Sequence, residues 1–345
     1  MSLMDDLNEK AATLGIPLSA QLDITWRCNE RCIHCYLDHE GRDEMSTDEI
    51  KEVLRQLAAA GTFFLSISGG EPLLRRDCFE ILGAARALGF NVKLKTNAVM
   101  IRAAEARRLR QLGIEQVQIS VYSDKDEVHD AITKLPGSLK RTVAAIGHLK
   151  SEGVKVSITN VLMKQNAASA RGVHKLAQEL GVSFVVDPTI TPKFNGDTSL
   201  VQLRIPNDQL KDLFRQEEFV GNVQEFCSPP STVDDSVLDG FSCSAGHTYC
   251  YISPSAELYP CVQFPMPCGN LRKQKFSELW GKSPALLELR SVHVRDLPTC
   301  SKCNHVSYCT RCPGLAYLEG NMRGPSTADC AKSEARMAGD ELSIA

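Results

Sequence analysis

The sequence predicts an α/β protein on a parallel sheet, followed by a region that folds around metal. Three observations carry that reading. Strand-like and helix-like patterns alternate from residue 20 to 190, at about 25–30 residues per unit. The strands are apolar enough to be covered by helices. Of the 14 cysteines, ten fall between Cys227 and Cys330, in a turn-rich stretch with little apolar core. Six to eight βα units can curl into a full or partial barrel, and an open doubly wound sheet has the same local pattern. In both, ligands sit at the C-terminal ends of the strands.

Gln21–Arg27 reads as the first strand. Ser46–Ala60 reads as a helix, because Ser46 and Glu49 have capping-box spacing and Ile50, Val53, Leu54 and Leu57 form one apolar face. Phe63–Ser68 is the second strand, and Asp77 caps a helix carrying Phe79, Leu82 and Leu88. Asn91–Thr96, Gln116–Ser123, Lys155–Met163 and Ser183–Ile190 complete six strands. Helices near Arg102–Leu112, Gly137–Glu152 and Ala168–Leu180 lie between them. Residues 191–242 bridge, with one helix near Asn207–Phe219, and the cysteine-rich region begins at Cys243. Such a region needs metal sites to fold.

Lys plus Arg is 39 against 42 for Asp plus Glu, a net charge of −3, so no electrostatic case exists for a nucleic-acid or anionic-membrane partner. No apolar run approaches the roughly 20 residues of a membrane span. The acidic, polar start MSLMDDLNEK is not a secretory signal, and a cytoplasmic location is expected. Grouped cysteines in a reducing compartment point to metal or redox chemistry.

Cys28, Cys32 and Cys35 place three thiols within eight residues, just after strand one. A short loop can wrap them around one face of a cubane iron–sulfur cluster, leaving one of four irons open for chemistry. A zinc site completed by His34 or His39 is the alternative. The run Cys28-Asn-Glu-Arg-Cys32-Ile-His34-Cys35 resembles the signature of the radical S-adenosylmethionine (SAM) superfamily, in which an aromatic residue or His precedes the last cysteine. Ser68-Gly69-Gly70-Glu71-Pro72 looks like that superfamily's GGE motif at the end of strand two. The resemblance implies a partial (β/α)6 TIM-like barrel over residues 20–190, after an N-terminal segment 1–19. It places His34, Ser68, Gly69, Gly70, Glu71, Asn97 and Ser120 at the SAM site, with Glu71 accepting from the SAM amino group. Relatives often carry a basic group where His129 and Lys134 follow; a solvated charge is the other reading of Lys134. Many relatives have Asp-Gly where this chain has Tyr122-Ser123.

The late cysteines resemble the SPASM extension of radical SAM peptide and protein maturases, expected here over 243–330 before a tail at 331–345. That resemblance implies two auxiliary 4Fe–4S clusters. One would be held by Cys243, Cys250, Cys261 and Cys312, the other by Cys300, Cys303, Cys309 and Cys330. Relatives commonly have three residues between the cysteines matching Cys309 and Cys312, and here there are two. Two zinc sites are the alternative. Of the remaining cysteines, Cys78 reads as a small packed residue at a helix start. Cys227 and Cys268 read as structural or as loop thiols near the site.

The implied cofactors are SAM and three 4Fe–4S clusters. The implied chemistry is reductive cleavage of SAM to a 5′-deoxyadenosyl radical, which abstracts hydrogen from a peptide or small-protein substrate to leave a crosslink or an oxidised side chain. The partner implied is a low-potential electron donor such as ferredoxin or flavodoxin; with only about 20 residues before strand one, a leader peptide is expected to dock either on a separate leader-peptide-binding protein or on the bridging segment. A formylglycine-forming sulfatase maturase is the alternative enzyme. Relatives of that type place an acidic base where Val262 follows Cys261. An iron–sulfur electron carrier or zinc protein is the alternative outside catalysis. No general base is assignable.

Overall fold

The computed structural model describes residues 3–37, 43–221 and 238–343. Cys227 and His39 lie outside them. A helix α1 (Leu3–Thr13) precedes β1 (Ser19–Asp23), α2 (Thr47–Ala59), β2 (Phe64–Ser68), α3 (Cys78–Ala87), β3 (Asn91–Thr96) and α4 (Ala103–Gln111). Then follow β4 (Gln116–Ser120), α5 (Asp126–Thr133), α6 (Ser138–Ser151), β5 (Val156–Val161), α7 (Ala170–Leu180) and β6 (Ser183–Asp187). The bridge carries α8 (Asn207–Phe214) and α9 (Glu217–Val220), not one helix. The C-terminal region holds β7 (Tyr249–Ile252), β8 (Glu257–Tyr259), β9 (Gly269–Asn270), α10 (Phe276–Lys282), α11 (Pro284–Arg290), α12 (Pro313–Leu318) and α13 (Thr327–Ser343).

One nine-stranded sheet runs in the order β6-β5-β4-β3-β2-β1-β7-β8-β9. The first seven of these pair in parallel, and β8 and β9 add antiparallel. Among the described residues β6 and β9 do not pair with each other, so the sheet curls as a partial barrel. The cysteine-rich region therefore does not begin as a separate body: β7 zips onto β1, with Leu22 opposite Ile252. No helix among the described residues is long and apolar enough to cross a membrane.

Alternation along each strand builds the two faces. Leu22, Ile67, Leu94, Ile119 and Ile158 point outward and are buried against the helices. Polar residues point inward and bond across the lumen: Lys95 Nζ donates to Gln21 Oε1 at 2.8 Å, the Tyr251 hydroxyl to Asp23 at 3.0 Å, and Gln118 Nε2 to Thr159 at 2.6 Å. The expected capping box closes α2: the Glu49 amide donates to Ser46 Oγ, and the Ser46 amide to the Glu49 carboxylate. Its four expected apolar residues, Ile50, Val53, Leu54 and Leu57, are all buried.

Candidate active site

The loop Cys28–Cys35 leaves the end of β1 and is pinned by the end of α5. The Arg31 amide donates to the Thr133 carbonyl at 2.9 Å and the Ile33 amide to the Ile132 carbonyl at 3.0 Å. Helix α5 covers a stretch expected as loop, so its C-terminal carbonyls, otherwise without helix partners, hold the thiol loop. Cys28, Cys32 and Cys35 then form one wall of a cavity of about 190 Å³ at the C-terminal ends of the strands. Ser68, Gly69 and Gly70 line it from β2, Asn97 from β3, and Ser120 and Tyr122 from β4, with His34 from the loop itself. The structure thus brings together every residue expected at the SAM site except Glu71.

The side chain of Glu71 is fully buried and turned away. It accepts from the Leu73 amide at 3.1 Å, from the Thr96 hydroxyl at 2.8 Å and from the Asn97 amide at 2.9 Å. Burial raises its pKa, and these donors pull the other way. With these donors Glu71 acts as a brace that sets Asn97 at the cavity edge. A strand-end Glu reads as a ligand in sequence because its three donors come from its own turn and from β3. The glycines serve close approach. The Gly70 amide donates to the Thr25 carbonyl and the Glu71 amide to the Arg27 carbonyl, both at 2.8 Å. A Cβ on Gly69 would stand 2.6 Å from the Thr25 oxygen, and one on Gly70 would overlap the Arg27 carbonyl. The motif locks the β2 end to the root of the thiol loop. Glu71→Gln puts an amide NH₂ against one of these donors, and the variant is expected to lose about 1–3 kcal/mol of stability. Thermal unfolding checks this; an unchanged melting temperature with weakened SAM binding would return Glu71 to the ligands.

Burial pushes the Cys28 thiol up to about 12, and raises Cys32 and Cys35 as well. The bare cavity therefore favours neutral thiols, and a multi-iron group supplies the positive charge that makes them thiolate ligands. Two buried polar atoms in the same wall, His34 Nδ1 and Glu30 Oε1, have no hydrogen-bond partner among the described residues. Such orphans are rare and mark where a bound group is missing a contact. The donor set fits an iron–sulfur cluster with SAM. His34 packs edge-on against Tyr122 with ring centres 4.8 Å apart, and burial lowers it to about 4, so it is neutral. His129 is not a basic group at the site: it is buried, accepts from the Tyr122 amide at 3.2 Å, and burial takes it to about 4. Lys134 is exposed and ends α5 in a left-handed turn.

Glu30 and Lys95 also line the cavity and were not expected. Desolvation lifts Glu30 to about 7, and desolvation lowers Lys95. A half-buried lysine near the C-terminal end of a parallel strand is itself a readable signal, since Lys is rarely withdrawn from water without a purpose. Beneath them Asp23 is fully buried and, through desolvation, raised to about 6.

The late cysteines sort into groups. Cys300, Cys303, Cys309 and Cys330 line one cavity of about 320 Å³. Cys312 stands elsewhere, at the start of α12, where the Leu315 amide donates to its sulfur at 3.5 Å. Burial raises the Cys243 thiol to about 12, the Ala245 amide lowers it, and the Cys312 and Cys261 thiols lie near enough to raise it further; among the described residues no three such side chains stand close enough to hold a metal ion. Cys250, expected with Cys243, Cys261 and Cys312, is placed on another face. It lies between Tyr249 and Tyr251, whose hydroxyls face the lumen residues Gln21 and Asp23. Strand alternation therefore sends Cys250 to the opposite face, fully buried in the hydrophobic core with Cys268. Cys78 is buried at the start of α3, as expected.

Residues 22–177 match the sequence model of the Radical SAM superfamily, and residues 243–313 that of the SPASM iron–sulfur cluster-binding domain. The AdoMet-dependent heme synthase of Methanosarcina barkeri is 27% identical over 328 residues, which cover 89% of this chain and 94% of that protein. The mycofactocin maturase MftC of Mycobacterium tuberculosis is 29% identical over 310 residues, covering 86% and 78%. In fold, the chain is similar to Streptococcus suis SuiB bound to its precursor peptide SuiA, with a TM-score of 0.75 at 18% identity, covering 94% of this chain and 78% of that one. It is similar to anSMEcpe with bound AdoMet at a TM-score of 0.70 and 16% identity, covering 94% and 97%. The chain belongs to the radical SAM superfamily, as an enzyme that binds SAM and iron–sulfur clusters and carries a C-terminal SPASM domain.

Proposed function

We propose that this enzyme modifies a peptide or small protein after translation, using three iron–sulfur clusters, the SAM-binding one on Cys28, Cys32 and Cys35. When bound there, the cluster and SAM supply one-electron cleavage to methionine and a 5′-deoxyadenosyl radical, which takes a hydrogen atom from an unactivated C–H bond. Ser68, Asn97 and Ser120 orient SAM from three successive strand ends, and Gly69 and Gly70 offer it bare backbone. The substrate radical left behind gives up one electron and one proton as a new bond closes; the extension thiols hold the groups suited to accept the electron.

The observation that carries the peptide reading is the cavity lining. Glu30 and Lys95, which the SAM contacts leave unused, present opposite charges at the cavity, which suit one polar side chain threaded from a peptide. SuiB, solved with its precursor peptide, and the maturase MftC support the same reading. The heme synthases among the relatives favour a second one, an iron-porphyrin substrate. The two separate by incubating anaerobically reconstituted enzyme, SAM and dithionite with peptides encoded beside the gene, and with iron-coproporphyrin. Mass spectrometry is expected to show a peptide losing a pair of hydrogens and an unchanged porphyrin; the reverse result overturns the peptide assignment.

A further inference from the structure

Strand β3 carries two lysines two positions apart, so Lys93 and Lys95 share the lumen face while Val92 and Leu94 are buried under the helices. Lys95 is half-buried and lines the cavity of the thiol loop; Lys93 is exposed, one pleat nearer the N-terminal end of the barrel. Their neighbours in register are uncharged: Ser66 on β2, and Gln116 and Gln118 on β4. The carboxylates that share the lumen are held by other groups. Asp23 accepts from Gln21 Nε2 and from the Tyr251 hydroxyl, both at 3.0 Å, and Asp187 accepts from the Thr189 amide at 2.8 Å. Both act on Lys95 through space, but its hydrogen bond goes to a neutral oxygen, Gln21 Oε1, and among the described residues no ion pair holds either lysine. An ammonium withdrawn from water without a counter-charge is costly, and a bound anion offsets that cost.

We infer that Lys95 is a specificity-determining residue that pairs with a carboxylate of the substrate, and that Lys93 takes a second carboxylate about 7 Å away, two strand steps along β3. The inference rests on the proposed function in taking the lumen as the place of the substrate. Two sources carry such groups, the acidic side chains of a peptide and the propionates of a porphyrin. The peptide matches the lysines in repeat: in an extended segment, acidic residues two positions apart stand on one side at the same spacing of about 7 Å. Pairing at Lys95 holds the substrate beside the strand ends that carry Ser68, Asn97 and Ser120.

Binding to reconstituted, SAM-loaded enzyme tests it without turnover, with two probes: the peptide encoded beside the gene, and iron-coproporphyrin. Removing the carboxylates of whichever probe binds is expected to weaken binding about 10- to 100-fold. The neutral forms are the peptide with Gln for Glu and Asn for Asp, and the porphyrin methyl ester. Lys95→Gln is expected to weaken the acidic form by a similar factor and the neutral form hardly at all, because both changes delete one contact. Lys95→Arg restores most of the affinity, and Lys93→Gln gives a smaller loss at its exposed position. Equal binding of the acidic and neutral forms to the parent overturns the inference, and that comparison needs no variant to fold. Lys95→Gln weakening both forms alike, or neither probe binding the parent, overturns it as well. Carboxylate-dependent binding of the porphyrin alone upholds Lys95 and overturns the peptide assignment, so the two failures are distinguishable.

Discussion

Alanine at Cys28, Cys32 and Cys35 together is expected to abolish 5′-deoxyadenosine formation while removing only about four of about twelve irons. The three thiols share one cavity wall with Ser68, Asn97 and Ser120, whereas Cys300, Cys303, Cys309 and Cys330 line a separate cavity. The loop has little role in the core. Its backbone hangs on the end of α5 through the Arg31 and Ile33 amides, which the substitutions leave in place. Iron, sulfide and SAM turnover measured on one anaerobic preparation check this. Turnover surviving in the triple variant, or loss of nearly all iron, contradicts it.

The second large effect lies at the other end of the chain. Cys330→Ala is expected to open residues 291–343 to limited proteolysis, while Cys78→Ala leaves the digestion pattern of the parent. Cys330 sits in α13, which packs on α8 through Ala335, Leu210, Leu213 and Phe214. The segment it meets, carrying Cys300, Cys303 and Cys309, is a set of single 3₁₀ turns in which only Leu297 and Tyr308 are buried apolar anchors. With so little apolar burial, ligation of a cluster by these four thiols is expected to be the main stitch there. Cys78 contributes only its packing in a large core, so truncating it to alanine removes one small atom's contacts. Equal digestion of the two variants would mean that the late cysteines do not staple this region.

Local signals carried most of the barrel. The Ser46–Glu49 capping box and the period-two strands need only neighbours in sequence, and both read directly. What did not read directly depends on partners far along the chain. Helix α5 was hidden in a polar stretch, DEVHDAIT, whose amphipathic face becomes visible only when His129 and Ile132 are buried under Tyr122. The bracing role of Glu71 was not readable because sequence shows its strand-end position but not the Thr96 and Asn97 donors that arrive from β3. The core position of Cys250 was not readable because spacing counts residues and is blind to strand phase. Its pairing with β1, across more than 200 positions, fixes which way the thiol points. Lys95 went unremarked although a half-buried strand lysine facing the cavity is a signal in its own right.

The central claim is that the thiol loop and the strand ends of β2 to β4 form a SAM-cleaving centre. Quantifying 5′-deoxyadenosine and methionine from SAM with anaerobically reconstituted protein under dithionite tests it most directly. Equal amounts of both, from protein carrying iron and sulfide, are the predicted result. Protein that holds stoichiometric zinc without sulfide and leaves SAM intact would contradict it.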